Sequence, residues 1–335
     1  MRPTAILVTG CSGFIGSNLC LSLLRQGHTV FGIDNFDPYY PRQVKEQNNI
    51  SLLCYPNFTF FETDVTDQKA LEILPASLRP EVVVHLAAKA GVRPSMADPE
   101  GYFHTNLFGT ECVHKWMLQR GCRKLAFASS SSVYGNIKEL PFTETTPLDV
   151  PLSPYAASKI AGEQLNQLNH RQNGLDVLNL RFFTVFGPRQ RPDLAIHKFL
   201  NALKQGREIV LYGDGNTTRD YTYVDDIVSG IESSVNYLLT HDQVCESINL
   251  GSGRPIALAQ MIRILGEEAG CIPVLVHSNQ QPGDMENTFA SIAKAEKLLN
   301  YHPGMPFREG VKRFVAWFDS QRNQSNCTLK TTTSG

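Results

Sequence analysis

Residues 5–16 read AILVTGCSGFIG, a short apolar run from Ala5 to Val8 that breaks into three glycines, Gly10, Gly13 and Gly16. An amphipathic stretch, Phe14–Gln26, follows at once, so the glycines make the turn between a strand and a helix. Glycine there permits a tight turn, lets backbone amides approach a diphosphate and lets the helix pack close to the strand. The first helical turn, with Phe14 and Ile15, presents its partial positive charge to the same diphosphate. The spacing is GxxGxxG, and its position after a first strand reads as the opening βα unit of a dinucleotide-binding sheet.

The rest of the first half repeats this alternation. Strand-like runs at Thr29 to Ile33, Phe58 to Phe61, Val82 to Leu86 and Lys124 to Ala128 are separated by helix-period stretches such as Ala70–Leu74 and His104–Arg120. A sixth run, Val177 to Phe182, follows a helix that begins near Pro154. Strands alternating with helices predict an α/β protein with a doubly wound parallel sheet. After Gly187 the order is less regular: GPRQRPD is a loop, helices are expected at Ala195–Gln205, from Val224 and near 257–269, 291–299 and 309–321, and strands at Glu208–Tyr212 and Ser247–Leu250. This predicts a cofactor domain over 1–187, its sheet completed by the strand near 247–250, and an interleaved, smaller mixed α/β substrate domain over 188–320. The polar end, from residue 321 to 335, is expected to fray.

A chain of 335 residues, 42% hydrophobic and 19% charged, can bury a core without disulfides or metals, and disorder is excluded. Thirty-one basic against 32 acidic residues leave a net charge of -1, which argues against a nucleic-acid or anionic-membrane surface. No apolar stretch approaches the length of a membrane span. The start runs directly into TAILVTG with no basic and apolar leader, so a cytoplasmic protein is expected. The eight cysteines show no CxxC pair and read as buried free thiols. The nine histidines form no HxH or HExxH pattern, so no metal site is expected, and His85 reads as a hydrogen-bonded core residue.

Asp34 ends the second strand, 18 residues past Gly16. A carboxylate there accepts from ribose hydroxyls and repels a 2′-phosphate, which favours NAD over NADP. Asp64-Val65, after the third strand, stands where an adenine contact can sit. The stretch DPYYP, 37–41, is either a plain turn or a cover for the cofactor. Further on, Tyr155 and Lys159 are separated by one helical turn and share a face. A phenol has an ordinary pKa near 10, so service as a base near pH 7 needs roughly 4 kcal/mol of preferential phenolate stabilisation. A neighbouring lysine and a cationic nicotinamide ring supply such stabilisation. Ser129 to Ser132 place hydroxyls at the carboxyl edge of the fifth strand, where ligands bind in such sheets. YxxxK alone also describes an ordinary surface pair; here it stands with the glycine loop, Asp34 and the serine run.

Together with HLAA (85–88), ASSSSVYG (128–135), SPYAASK (153–159), RFFTVFGP (181–188), RDYTYVDDI (219–227) and QPGD (281–284), these motifs resemble an extended short-chain dehydrogenase/reductase. More narrowly they resemble the NAD-dependent nucleotide-sugar 4-epimerases, over about residues 4 to 320. AGVRPSMADP (90–99), RPDLAIHKF (191–199) and QPGDMENT (281–288) are similar to the UDP-glucuronate branch. The resemblance implies a Rossmann-type fold, NAD as cofactor, a UDP-sugar substrate and a homodimer through the helices beginning near His104 and Tyr155. It implies Ser130, Tyr155 and Lys159 as catalytic residues, the last two also touching NAD. Asp34 with Asn35, Asp64 with Val65, and Leu86, Ala87, Ala88 and Lys89 would line NAD. Thr184 would meet the diphosphate and sugar, Arg219 the diphosphate, Asp193, Leu194, Ala195 and Val210 to Tyr212 the uridine, and Asp284 its ribose.

The galactose-type epimerases carry arginine where Gln281 stands, so neutralising the diphosphate would rest on Arg219, Arg191 and Arg93. Ser131 and Thr184 would offer hydroxyls near C6. The resemblance therefore implies interconversion of UDP-glucuronate and UDP-galacturonate through a transient 4-keto sugar, with UDP-glucose 4-epimerase as the alternative. The related 4,6-dehydratases place an Asp-Glu pair before VYG, and the UDP-glucuronate decarboxylases a glutamate. Ser131 and Ser132 stand there instead, with no titrating group to move a C5 proton. A non-catalytic NAD-binding protein on the same fold is the remaining alternative, set against the presence of both Tyr155 and Lys159.

Overall fold

Along the first strand, β1 (Ala5–Thr9), Ile6 and Val8 enter one core layer while Leu7 enters the other. A strand buried on both faces belongs inside a parallel sheet covered by helices. The computed structural model describes residues 2–148, 150–278 and 287–332, with side chains as far as Arg322.

From β1 the chain passes through α1 (Phe14–Arg25), β2 (Thr29–Asp34), α2 (Arg42–Leu53), β3 (Phe58–Glu62), α3 (Gln68–Glu72) and β4 (Val82–His85). Two short helices, α4 (Val92–Ala97) and α5 (Pro99–Phe103), lead through a π-helical turn, His104–Phe108, into α6 (Gly109–Gln119) and β5 (Lys124–Ser130). A 3-10 turn at Ser131–Tyr134 precedes α7 (Pro154–Asn173) and β6 (Asp176–Phe182). Then come β7 (Thr184–Phe186), α8 (Ala195–Lys204), β8 (Ile209–Tyr212), β9 (Thr218–Tyr223), α9 (Val224–Thr240) and β10 (Cys245–Leu250). The chain finishes with β11 (Pro255–Ala257), α10 (Leu258–Ala269), β12 (Leu275–Ser278), α11 (Ala293–Leu299) and α12 (Phe307–Thr332).

Seven strands form one sheet in the order β3-β2-β1-β4-β5-β6-β10, parallel throughout. This is the α/β, Rossmann-type doubly wound arrangement. The order reverses between β1 and β4, where the carboxyl ends open a crevice. Two small sheets, β11-β9-β7 and β12-β8, are built by the chain after β6. That later chain also serves the main sheet, because α9 packs on α1 and β10 pairs with β6. Among the described residues, no helix is long and apolar enough to cross a membrane.

Three details depart from the sequence pattern. Helix α2 carries little apolar periodicity, since its buried residues are Lys45, Asn48, Asn49 and Leu52; the Asn48 side chain is spent on the Ser12 carbonyl. The stretch predicted as one helix from His104 starts instead with the π turn. At the other end, α12 continues to Thr332 across the stretch expected to fray from 321; extending a packed helix costs little once its first turns exist. Of the cysteines, Cys11, Cys20, Cys112 and Cys122 are buried, whereas Cys54 is exposed.

Candidate active site

A cavity of about 450 Å³ lies at the carboxyl ends of the parallel strands. Its floor at one end is the glycine loop, with Gly10, Gly13, Phe14, Ile15 and Gly16. Asp34, Asn35 and Val65 line the same end, and Leu86, Ala87, Ala88 and Lys89 the middle. At the other end stand Ser130, Ser131, Tyr155, Lys159, Thr184, Arg191 and Leu194.

The loop fits a dinucleotide for reasons visible in its backbone. Gly10 has φ +70° and its amide donates to the Ile33 carbonyl at 2.7 Å. A Cβ there would sit 2.8 Å from the Ala87 nitrogen, and one on Gly16 would sit 2.1 Å from the Gly10 carbonyl oxygen. Only glycine allows α1 to start so close to the strand end, leaving its first-turn amides toward the cavity. Asp34 is buried, and its two oxygens accept from the backbone amides of Ser12 at 3.1 Å and Phe36 at 2.9 Å. Lys45 approaches it to 4.0 Å. Burial raises the Asp34 pKa above its ordinary value, against the pull of Lys45 and those amides. Each oxygen retains a lone pair for a ribose hydroxyl.

Asp64 stands behind Asn35, accepting from its side-chain amide at 2.7 Å and from the Thr66 hydroxyl at 2.8 Å. Burial opposes its ionisation, but the bonds from Thr66 and Asn35 hold its pKa below the usual range.

The opposite end of the cavity is built by β5 and α7. Ser153 caps α7, accepting from the Ala156 amide at 3.1 Å, and Pro154 occupies the first turn. That cap puts Tyr155 at the mouth of the helix and Lys159 one turn below. Burial raises the Tyr155 pKa, while a hydrogen bond from Ser130 and the charge of Arg191 lower it. Lys159 is buried and donates to the Ala128 carbonyl at 2.7 Å, its ammonium 5.9 Å from the Tyr155 ring centre. Burial pulls its pKa down to about 7, against the opposing charge of Glu163. Ser130 ends β5, and its hydroxyl donates to the Ser132 hydroxyl at 3.1 Å. A phenol, an ammonium and a hydroxyl on one wall can accept, stabilise and relay a proton.

Other predicted site residues sit outside the cavity wall. The Arg191 guanidinium reaches the wall while forking onto Asp193 at 2.9 and 2.8 Å, which leaves Asp193 behind it. Arg93 lies over the Tyr212 ring, 5.1 Å from its centre, so α4 meets the end of β8. Val210 is exposed, since β8 belongs to a two-stranded sheet with one open face. Ala195 opens α8, and Arg219 on β9 donates to the Thr218 carbonyl at 2.9 Å. Gln281 and Asp284 lie outside the described residues.

Some cavity residues carried no motif. Thr105 lines the wall from the π turn. Asn106, beside it, is buried and spends its side chain on Lys89 and Ser158. The DPYYP stretch, by contrast, reads in the sequence as either a plain turn or a cover for the cofactor; its Asp37, Tyr39 and Tyr40 line the cavity, and the Tyr39 hydroxyl donates to Asp193 at 3.4 Å. His85 is buried between the Thr9 and Thr110 hydroxyls, and burial drops its pKa to about 3, so it stays neutral. Among the described residues, no group of three or more His, Cys, Asp or Glu side chains could hold a metal ion.

The NAD dependent epimerase/dehydratase family matches residues 6–251. A UDP-glucuronate 4-epimerase of Thermodesulfobacterium geofontis is 39% identical over 312 residues, covering 93% of this chain and 95% of that protein. The crystal structure of UDP-glucuronic acid 4-epimerase from Bacillus cereus, in complex with UDP-glucuronic acid and NAD, superposes with a TM-score of 0.87 at 33% identity. It covers 95% of this chain and 99% of its own. A UDP-glucose 4-epimerase from Thermotoga maritima, crystallised with UDP-glucose, gives 0.85 at 31% identity, covering 95% and 99%.

Proposed function

The chain belongs to the NAD dependent epimerase/dehydratase family, and from that premise we propose that it is a UDP-sugar 4-epimerase interconverting UDP-glucuronate and UDP-galacturonate. NAD held in the cavity would supply the hydride acceptor for C4 of the sugar and the hydride donor for its return, with no net redox change. Gly10, Gly13 and Gly16 hold its diphosphate against the start of α1, and Asp34 takes its ribose hydroxyls. Tyr155, as phenolate, removes the proton from the sugar O4. Ser130 hydrogen-bonds O4, and Lys159 stabilises the phenolate. The 4-keto sugar turns about its diphosphate link and presents its other face, and Tyr155 returns the proton to O4.

One observation carries this reading beyond its relatives' chemistry: the cavity wall beyond β5 is Ser130, Ser131, Ser132 and Thr184, and the carboxylates lining the cavity, Asp34 and Asp37, stand at the glycine-loop end. Among the described residues, no carboxylate lines the sugar end of the cavity to move a C5 proton, so the oxidised sugar is left to take its hydride back. Hydroxyls of Ser131 and Thr184 bind the C6 carboxylate, and Arg93, Arg191 and Arg219 answer the diphosphate. Leu194, Ala195, Val210 and Tyr212 hold the uridine with Asp193. The protein works in the cytoplasm as a homodimer; the exposed side chains of Phe108 and Leu168, on the helical segments that begin near His104 and Tyr155, support this reading. Incubating the purified protein separately with UDP-glucuronate and UDP-glucose, and identifying the products, tests the substrate. Preference for UDP-glucose, or release of a UDP-pentose as main product, overturns it.

A further inference from the structure

Helix α7 grips the end of β5 at two consecutive residues. Lys159 donates to the carbonyl of Ala128, and Glu163 accepts from the hydroxyl of Ser129. Four residues apart, Lys159 and Glu163 share one face of the helix. The next residue on β5 is Ser130, so this double grip sets where its hydroxyl points. On its far side Glu163 takes a fork from Arg181 on β6, at 2.9 and 2.7 Å, with 5% and 4% of the two residues exposed. Arg181 also donates to the Tyr134 hydroxyl at 2.9 Å, which donates to Asn249 at 2.7 Å. A buried ion pair of this kind adds little stability over apolar residues of the same volume. Its place, one turn beneath the ammonium, suggests another use.

We propose that Glu163 is a positioning residue for the Lys159–Tyr155 pair: it fixes the end of β5 and supplies the negative charge that keeps the Lys159 ammonium protonated in its buried seat. This rests on the proposed reading in which Lys159 stabilises the Tyr155 phenolate. Among the described residues, the titratable groups that lie over or interact by charge with Lys159 are Tyr155 and Glu163 on its own helix and His85 on β4. His85 stays neutral, Arg181 is tied to Glu163, and Arg191 acts on Tyr155. Glu163 is thus the anion that opposes the burial of Lys159. Without it, Lys159 loses its proton at lower pH, and the phenolate loses its neighbouring cation and forms at higher pH.

The test compares wild type, Glu163→Gln and Glu163→Gln/Arg181→Met, all loaded with NAD. Tyr155 ionisation is read from the ultraviolet phenolate band, taken as the difference from the same protein carrying Tyr155→Phe. In Glu163→Gln it should move up by about one pH unit, lowering kcat near neutral pH about tenfold while KM for the sugar stays within about twofold. The double variant removes the unpaired guanidinium and should recover thermal stability but not the titration. Superimposable titrations in wild type and Glu163→Gln overturn the proposal, as does a double variant that regains both stability and the wild-type titration. If wild type epimerises neither UDP-glucuronate nor UDP-glucose yet the titration shifts, the proposed reaction fails and the electrostatic role of Glu163 stands.

Discussion

Asn106 holds both backbone groups of Lys89: its side-chain oxygen accepts from the amide at 2.8 Å and its nitrogen donates to the carbonyl at 2.9 Å. The same nitrogen donates to the Ser158 hydroxyl at 2.9 Å, which donates to the Tyr155 carbonyl at 2.8 Å. One side chain therefore ties the middle of the cavity wall to the first turn of α7. Asn106→Leu leaves buried groups without partners, at about 1–3 kcal/mol each. Thermal unfolding should show that loss, and NAD titration should show affinity weakened by about tenfold or more. An unchanged NAD affinity would mean the tie is structural only.

Gly16→Ala places a methyl group 2.1 Å from the Gly10 carbonyl oxygen, so α1 must draw back from β1. The chain should still fold, because the clash is confined to one turn. Its NAD retention, measured by release on denaturation, should fall from near stoichiometric to a minor fraction. Retention at the wild-type level would show that the diphosphate does not rest on this helix start.

Asp34 should give NAD binding an acid limb. Its folded-state pKa lies above the ordinary 3.8 because burial penalises the carboxylate. As pH falls through that raised value, the group gains a proton and ceases to accept fully from the ribose, so NAD affinity drops. Isothermal titration across mildly acid pH checks this. Asp34→Asn should remove the limb, weaken NAD at neutral pH and reduce the preference for NAD over NADP.

Thr184→Val tests the sugar. A charge-assisted hydrogen bond to a carboxylate contributes about 1.5–3 kcal/mol. Losing it should lower kcat/KM for UDP-glucuronate roughly ten- to a hundredfold, with a much smaller effect on UDP-glucose. Because a β-keto acid tends to lose CO2, some UDP-pentose should accompany the slower epimerisation. Equal losses on both sugars would place Thr184 away from the carboxylate.

What the sequence made legible follows from which contacts are local. The glycine loop, the strand-end Asp34 and the i, i+4 pair Tyr155 and Lys159 are each set by the element they sit on, and each reaches the cavity. Asn106 and Glu163 were silent because their partners, Lys89 and Ser129, are 17 and 34 residues away, and pattern alone does not pair them. Helix α2 escaped for another reason: its inward face is largely Lys45, Asn48 and Asn49, so the usual apolar stripe is missing. Arg93 and Tyr212 lie on separate elements, and only the assembled fold reveals that they stack.

The pairing of β10 with β6 bears on how such proteins can be recombined. The chain leaves the main sheet after β6, and the match to its family ends at residue 251, one residue past the return strand β10. A cut after Gly187 would strip the outer strand and leave β6, whose seven residues are all buried, as a bare edge ready to pair with another chain. No single junction separates a cofactor cassette from a sugar cassette. A graft meant to move the later chain between relatives therefore has to carry the whole excursion from β6 to β10 with both of its seams.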